Sequence, residues 1–212
     1  MKLYLKNHAE RYPVEQLQLQ LFAQEPSEFC AEPFTGDGTV SSLSRGKRYL
    51  TATAKVTYQG KTGFASNRVL LEKADVRATR RILQRSYYLA ALQVLPAAPP
   101  WGALSGVRPT KLSTKCLMAG GSERDAERLL RQTYFVSPER ARLCVDASRH
   151  TVEAAKKLDA DDLSVYIGIP FCPTRCAYCS FVSQSIERFG EFLPAYLDAL
   201  LREIAHTGAL LK

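Results

Sequence analysis

The chain has 212 residues, 46% of them hydrophobic and 24% charged, an ordinary globular composition with room for one large domain or two smaller ones. No uncharged apolar run is long enough to cross a bilayer, and Met1-Lys2-Leu3-Tyr4-Leu5-Lys6-Asn7 is charged at once without an apolar signal core, so a cytoplasmic protein with no membrane partner is expected. The formal net charge of +8, from 29 Lys and Arg against 21 Asp and Glu, favours acidic partners (nucleic acid, a phosphorylated molecule, a polycarboxylate) without choosing among them.

Residues 1–72 read as a strand-rich α+β domain. Lys2 to Lys6 alternates polar and apolar. Pro13 to Phe22 is ambiguous: Val14, Leu17 and Leu21 have helical spacing, whereas Leu17, Leu19 and Leu21 alternate as in a strand. Tyr49 to Tyr58 and Lys61 to Leu70 are rich in Thr, Val, Tyr and Phe and flank Gln59-Gly60, the pattern of a β-hairpin.

Residues 73–160 read as a helical domain or connector. Ala74 to Leu95 has a helical pattern that stops at Pro96, and Pro96-Ala97-Ala98-Pro99-Pro100 marks a connection. Arg77, Arg80, Arg81 and Arg85 read as an exposed face of that helix, and Trp101 as a packing residue. Ser122 caps a further helix, and Ser137-Pro138-Glu139 starts another, with Pro at the first helical position.

Residues 161–212 bring a different pattern. Leu163, Val165, Ile167 and Ile169 alternate with Ser164, Tyr166 and Gly168, which predicts a strand. Phe189, Phe192, Leu193, Tyr196, Leu197, Leu200, Leu201 and Ile204 fall at helical spacing, with Pro194 near the start and Gly208 as the expected stop. Strand, loop and helix make one βα unit, whose apolar faces need more sheet to cover them.

The loop between them reads Phe171-Cys172-Pro173-Thr174-Arg175-Cys176-Ala177-Tyr178-Cys179-Ser180-Phe181. Three thiols this close can fold around one metal centre. The other cysteines, Cys30, Cys116 and Cys144, are isolated and read as buried small apolar residues, so no disulfide framework is expected. A structural zinc site takes four ligands, and the only histidines are His8, His150 and His206, none of them nearby. Zinc completed by a remote histidine stays open as the alternative. Three thiolates on a [4Fe–4S] cluster leave one iron free to bind a small molecule.

The cysteine spacing, with an aromatic residue just before the last thiol, resembles the signature of the radical S-adenosylmethionine superfamily. The wider segment, Tyr166 with Ile169-Pro170-Phe171-Cys172, resembles the oxygen-independent coproporphyrinogen III oxidase family. Upstream, Pro100-Trp101-Gly102-Ala103-Leu104-Ser105-Gly106-Val107-Arg108-Pro109-Thr110-Lys111 is similar to the stretch before the catalytic domain in its HemZ-type branch. Better-known members carry His where this sequence has Gly168, so no substrate role is carried over to that position.

The resemblance implies that residues 161–212 start a partial (β/α) barrel, truncated after its first βα unit. It implies a [4Fe–4S] cluster on Cys172, Cys176 and Cys179, with S-adenosylmethionine chelated by the open iron and split to a 5′-deoxyadenosyl radical. Tyr166 and Tyr178 are the expected cofactor contacts, Tyr166 as a core-filling aromatic and Tyr178 as a mere cluster shield being the structural alternatives. No catalytic residue is assigned. The implied reaction is oxidative decarboxylation of two propionates of coproporphyrinogen III, giving protoporphyrinogen IX. It calls for a tetrapyrrole substrate and external electron donor and acceptor; nucleic acid is not expected as a partner. The rival readings are a haem-binding chaperone of the same family and a nucleic-acid-modifying radical enzyme. Lys212 comes where a further barrel strand is expected to begin, so this chain alone is expected to be inactive.

Overall fold

The structure, a computed structural model, describes residues 1–211; the strand expected to begin at Lys212 lies outside them. By its packing the chain divides into two compact units, Met1–Leu158 and a second that starts at Asp159.

The first unit is α+β. β1 (Lys2–Lys6) leads to α1 (Arg11–Leu21) and β2 (Glu28–Cys30), followed by β3 (Gly38–Arg45), β4 (Tyr49–Tyr58) and β5 (Lys61–Leu70). They form a mixed five-stranded sheet in the order β2-β1-β3-β4-β5. β1 runs parallel to both neighbours, and β3, β4 and β5 are antiparallel. The ambiguous Pro13–Phe22 stretch resolves as helix because Val14 and Leu17 are fully buried while Leu19 stays exposed. The hairpin lies where the sequence places it. Tyr58 pairs with Lys61, and Gln59 (φ 48°) with Gly60 (φ 76°) makes the two-residue turn with both φ values positive that matches strand twist.

α2 (Val76–Ala91) starts at Asp75, whose carboxylate accepts from the Ala78 amide at 2.6 Å. The regular helix stops short of Leu95, but looser turns carry the chain on, with the Leu95 amide donating to the Ala91 carbonyl. Its buried face (Ile82, Leu83, Tyr87, Tyr88, Ala90, Ala91) shares one core with Leu50, Ala52, Ala54 and Val56, the alternate residues of β4. Small residues let helix and sheet come close. A Cβ placed on Gly63 of β5 would lie 2.0 Å from the Ala90 carbonyl oxygen, so only glycine fits. Arg77, Arg80 and Arg81 are exposed as expected, and Arg85 is half-buried.

α3 (Pro109–Met118), α4 (Glu123–Arg128) and α5 (Pro138–Ala155) surround a second core of Leu104, Ala126, Leu130, Val136, Ala141, Cys144 and Val145, with Trp101 packed against it. Ser122 and Asp125 cap α4 reciprocally, and Ser137 caps α5. A π-helical turn, Leu129–Thr133, widens the chain after α4. Buried hydroxyls of Ser113 and Ser148, 2.7 Å apart, tie α3 to α5. Of the isolated cysteines only Cys144 is buried; Cys30 and Cys116 are half-exposed.

The second unit contains β6 (Phe171–Cys172), β7 (Gln184–Ser185), α6 (Ile186–Phe189), a 3₁₀ turn at Gly190–Phe192 and α7 (Leu193–Leu210). Two expectations are corrected. Leu163–Ile169 belongs to no strand, because alternation alone makes no ladder and none of the described residues pairs with it. Gly208 does not stop its helix, which runs to Leu210; a glycine inside a helix costs about 1 kcal/mol but does not by itself end one. Pro194 sits in the first turn, where its missing N–H is harmless. Among the described residues no helix is long and apolar enough to cross a membrane.

Candidate metal centre

The three clustered cysteines lie on one loop closed at its base by short strands. β6 and β7 pair in parallel, Phe171 against Gln184 and Cys172 against Ser185, and the Gln184 amide donates to the Pro170 carbonyl at 2.6 Å. Residues 173–183 are thereby pinched into a projecting loop. Cys172, at the end of β6, is half-buried; Cys176 is exposed, and Cys179 is half-buried. A tight turn joins the last two, the Cys179 amide donating to the Cys176 carbonyl at 3.0 Å.

α7 holds the approach to this loop. The Tyr196 hydroxyl donates to the Gly168 carbonyl, and its ring meets Phe171 edge-on with centroids 5.3 Å apart. Sequence reading took Tyr196 only as part of an apolar stripe. Its signal was a tyrosine among leucines, a residue that packs with its ring and anchors with its hydroxyl.

The structure leaves both expected cofactor contacts open to solvent. Tyr166 is 84% exposed and lines a cavity of about 400 Å³ with Gly168, Tyr196, Leu200 and Glu203. Cys172 lines another, of about 540 Å³, with Arg175, Gln184, Glu187 and Arg188. Tyr178 is 89% exposed. Cys176, Tyr178 and Cys179 line neither cavity. Among the described residues no three His, Cys, Asp or Glu side chains are gathered as a metal site. The thiols thus share a loop and not yet a point.

The donor set still fits an iron–sulfur centre. Three soft sulfur ligands sit within one polar, accessible loop, with Cys176 open to solvent and a tight turn joining Cys176 to Cys179. Cys144 is the contrast: burial raises its thiol pKa, opposed by the charge of Arg140, as befits a packing residue.

The molecule is therefore an α+β protein that carries a three-cysteine loop in a separate compact unit. The chain is 31% identical over 206 residues to the oxygen-independent coproporphyrinogen-III oxidase-like protein HemZ of Bacillus subtilis (strain 168), a match that takes in 93% of this chain. The match is to the N-terminal part of that oxidase-like protein, in line with the resemblance carried by the cysteine loop and the Pro100–Lys111 stretch. The chain spans 39% of that relative's length. No family model and no solved structure matches it.

Proposed function

We propose that this chain carries the cluster-binding part of a radical S-adenosylmethionine oxidoreductase of haem biosynthesis, a cytoplasmic enzyme that acts on coproporphyrinogen III. The observation that carries this reading is the accessible loop with Cys172, Cys176 and Cys179, closed by β6 and β7, in a chain similar to HemZ. In this reading residues 161–212 begin a (β/α) barrel behind a strand-rich α+β domain (1–72) and a helical one (73–160).

Cys172, Cys176 and Cys179 would hold a [4Fe–4S] cluster, which with S-adenosylmethionine supplies the hydrogen-abstracting power for oxidative decarboxylation of two propionates, external partners donating and accepting the electrons. The chain's own residues bind and orient. The exposed rings of Tyr166 and Tyr178 are available to pack on the cofactor. Tyr196 acts as a positioning residue, since its contacts with Gly168 and Phe171 fix the segment that leads into Cys172.

Anaerobic reconstitution tests the centre. Iron and sulfide should load together with broad visible absorption, and Cys176→Ala should abolish it; stoichiometric zinc with no uptake of iron would overturn the assignment. The substrate is tested in a protein of the relative's full length, given reductant and S-adenosylmethionine. Vinyl product from coproporphyrinogen III is expected. Stoichiometric haem binding without turnover, or retention on RNA that falls steeply with salt, would overturn it.

A further inference from the structure

The first unit contains a basic cavity that the cysteine loop does not explain. It measures about 700 Å³, within the usual range of small-molecule sites, and Arg124, Arg128 and Arg131 line one side of it. These arginines are spaced to project from one face of α4 and the π-helical turn that follows. Phe135 and the start of α5, at Ser137 and Pro138, form part of the remaining wall.

The charges are unbalanced. Glu127 is the one carboxylate among the lining residues, and it pairs with Arg131 at 3.1 Å. Arg128 reaches Asp125, outside the lining, at 3.2 Å. Among the described residues Arg124 forms no ion pair. With Arg131 on Glu127 and Arg128 on Asp125, the Arg124 guanidinium is the charge left in excess beside this concave space, and the positive end of the 18-residue helix α5 adds to it. Like charges held one turn apart repel, and a bound anion relieves that repulsion.

The wall is also firm. Phe135 stacks on the buried Tyr88 ring, centroids 5.0 Å apart, and lies under the Arg85 guanidinium at 4.7 Å. Its backbone adopts φ 60°, held there while the neighbouring Tyr134 carbonyl accepts from the Ala103 amide at 2.7 Å. A rigid apolar side facing a row of planar donors suits a compact ligand with several oxyanion groups, since guanidinium forks bind carboxylate and phosphate oxygens in pairs.

We propose that this cavity binds a small, multiply charged oxyanion, a polycarboxylate or a phosphate-bearing molecule. The site lies wholly within the first unit, and the proposal does not depend on the reading of the cysteine loop.

The test is calorimetric titration of the full chain with citrate and with pyrophosphate at fixed ionic strength, beside a chloride control. Saturable one-to-one binding of at least one probe is expected, the tighter of the two assigning carboxylate or phosphate. Arg124→Ala should weaken binding about tenfold and the Arg124→Ala/Arg128→Ala pair further, as loss of charge-assisted hydrogen bonds requires. Arg45→Ala, an exposed arginine on β3, should leave affinity unchanged. Should the pair fail to fold, amide shifts on citrate addition that cluster at residues 124–138 in the unaltered chain, and vanish in Arg124→Ala, serve the same end. Neither probe binding above chloride, binding indifferent to Arg124, or binding of an RNA oligonucleotide alone would each overturn the proposal.

Discussion

The two units put comparable apolar sequence to opposite use. In the first, α2 buries seven residues against a sheet, and Leu83 and Tyr87 are fully enclosed. In the second, the 18-residue α7 is amphipathic too, yet buries none of its residues, and Leu197, Leu201 and Ile204 are exposed. A periodic apolar stripe therefore states which face a helix offers for packing; whether the face is buried depends on a partner surface. The three clustered thiols lie in the unit with little core. The first unit supplies the enclosed packing, and the cavity with excess positive charge lies within it.

Paired truncations should expose this contrast most strongly. Leu83→Ala removes a side chain with no exposure and should cost about 3 kcal/mol, seen as a lower urea midpoint for the first unit. Leu201→Ala, at 64% exposure, should stay within about 0.5 kcal/mol. Equal costs would erase the distinction between the units. Gly63→Ala comes next. The added methyl would meet the Ala90 carbonyl oxygen at 2.0 Å, forcing α2 off β5 at about 2 kcal/mol in the same melt.

Much of the first unit was legible in the sequence, for local reasons. The hairpin was written in Gln59-Gly60 between alternating runs, and the helix starts in Ser122 and in Ser137-Pro138. β3 was not singled out: Gly38–Arg45 is Ser-rich and takes its place only through ladders to β1 and β4. α3 was likewise passed over, since its buried contribution is small, chiefly Ser113. At the site, the cysteine loop stood out because ligand spacing is a local signal. The anchor made by Tyr196 depends on a contact 28 residues away, which no spacing rule could provide. The strand over Leu163–Ile169 failed for the complementary reason, because alternation describes a strand's faces and says nothing of its neighbours.

Tyr196→Phe sharpens the comparison at smaller scale. The ring still packs on Phe171, but the donor to the Gly168 carbonyl is gone, so the loss should be under about 1 kcal/mol at this exposed contact. Hydrogen exchange should quicken around residues 168–172 and stay unchanged in β4 and α2. Unchanged exchange at the loop base would remove Tyr196 from its positioning role.

The smallest expected effect is a pH dependence that belongs to the first unit. His8 follows β1 with its ring half-buried; Nε2 lies 3.2 Å from both the Ser41 carbonyl and the Ser41 hydroxyl. Its buried Nδ1 has no hydrogen-bond partner among the described residues. Protonation would place a second N–H there with nothing to accept it. Burial accordingly lowers the His8 pKa below the usual 6.5, against the opposing pull of the Ser41 carbonyl and the charge of Glu10. A histidine whose folded pKa is depressed stabilises the fold fully above its unfolded pKa, and that contribution is lost as pH falls through the folded value. Urea midpoints of the first unit should therefore decline between about pH 7 and pH 5, before most carboxylates titrate. His8→Gln, which keeps a polar group near Ser41 but cannot titrate, should flatten that part of the curve. Parallel curves for the two proteins would show that the His8 ring takes its proton without cost, and that water reaches its Nδ1.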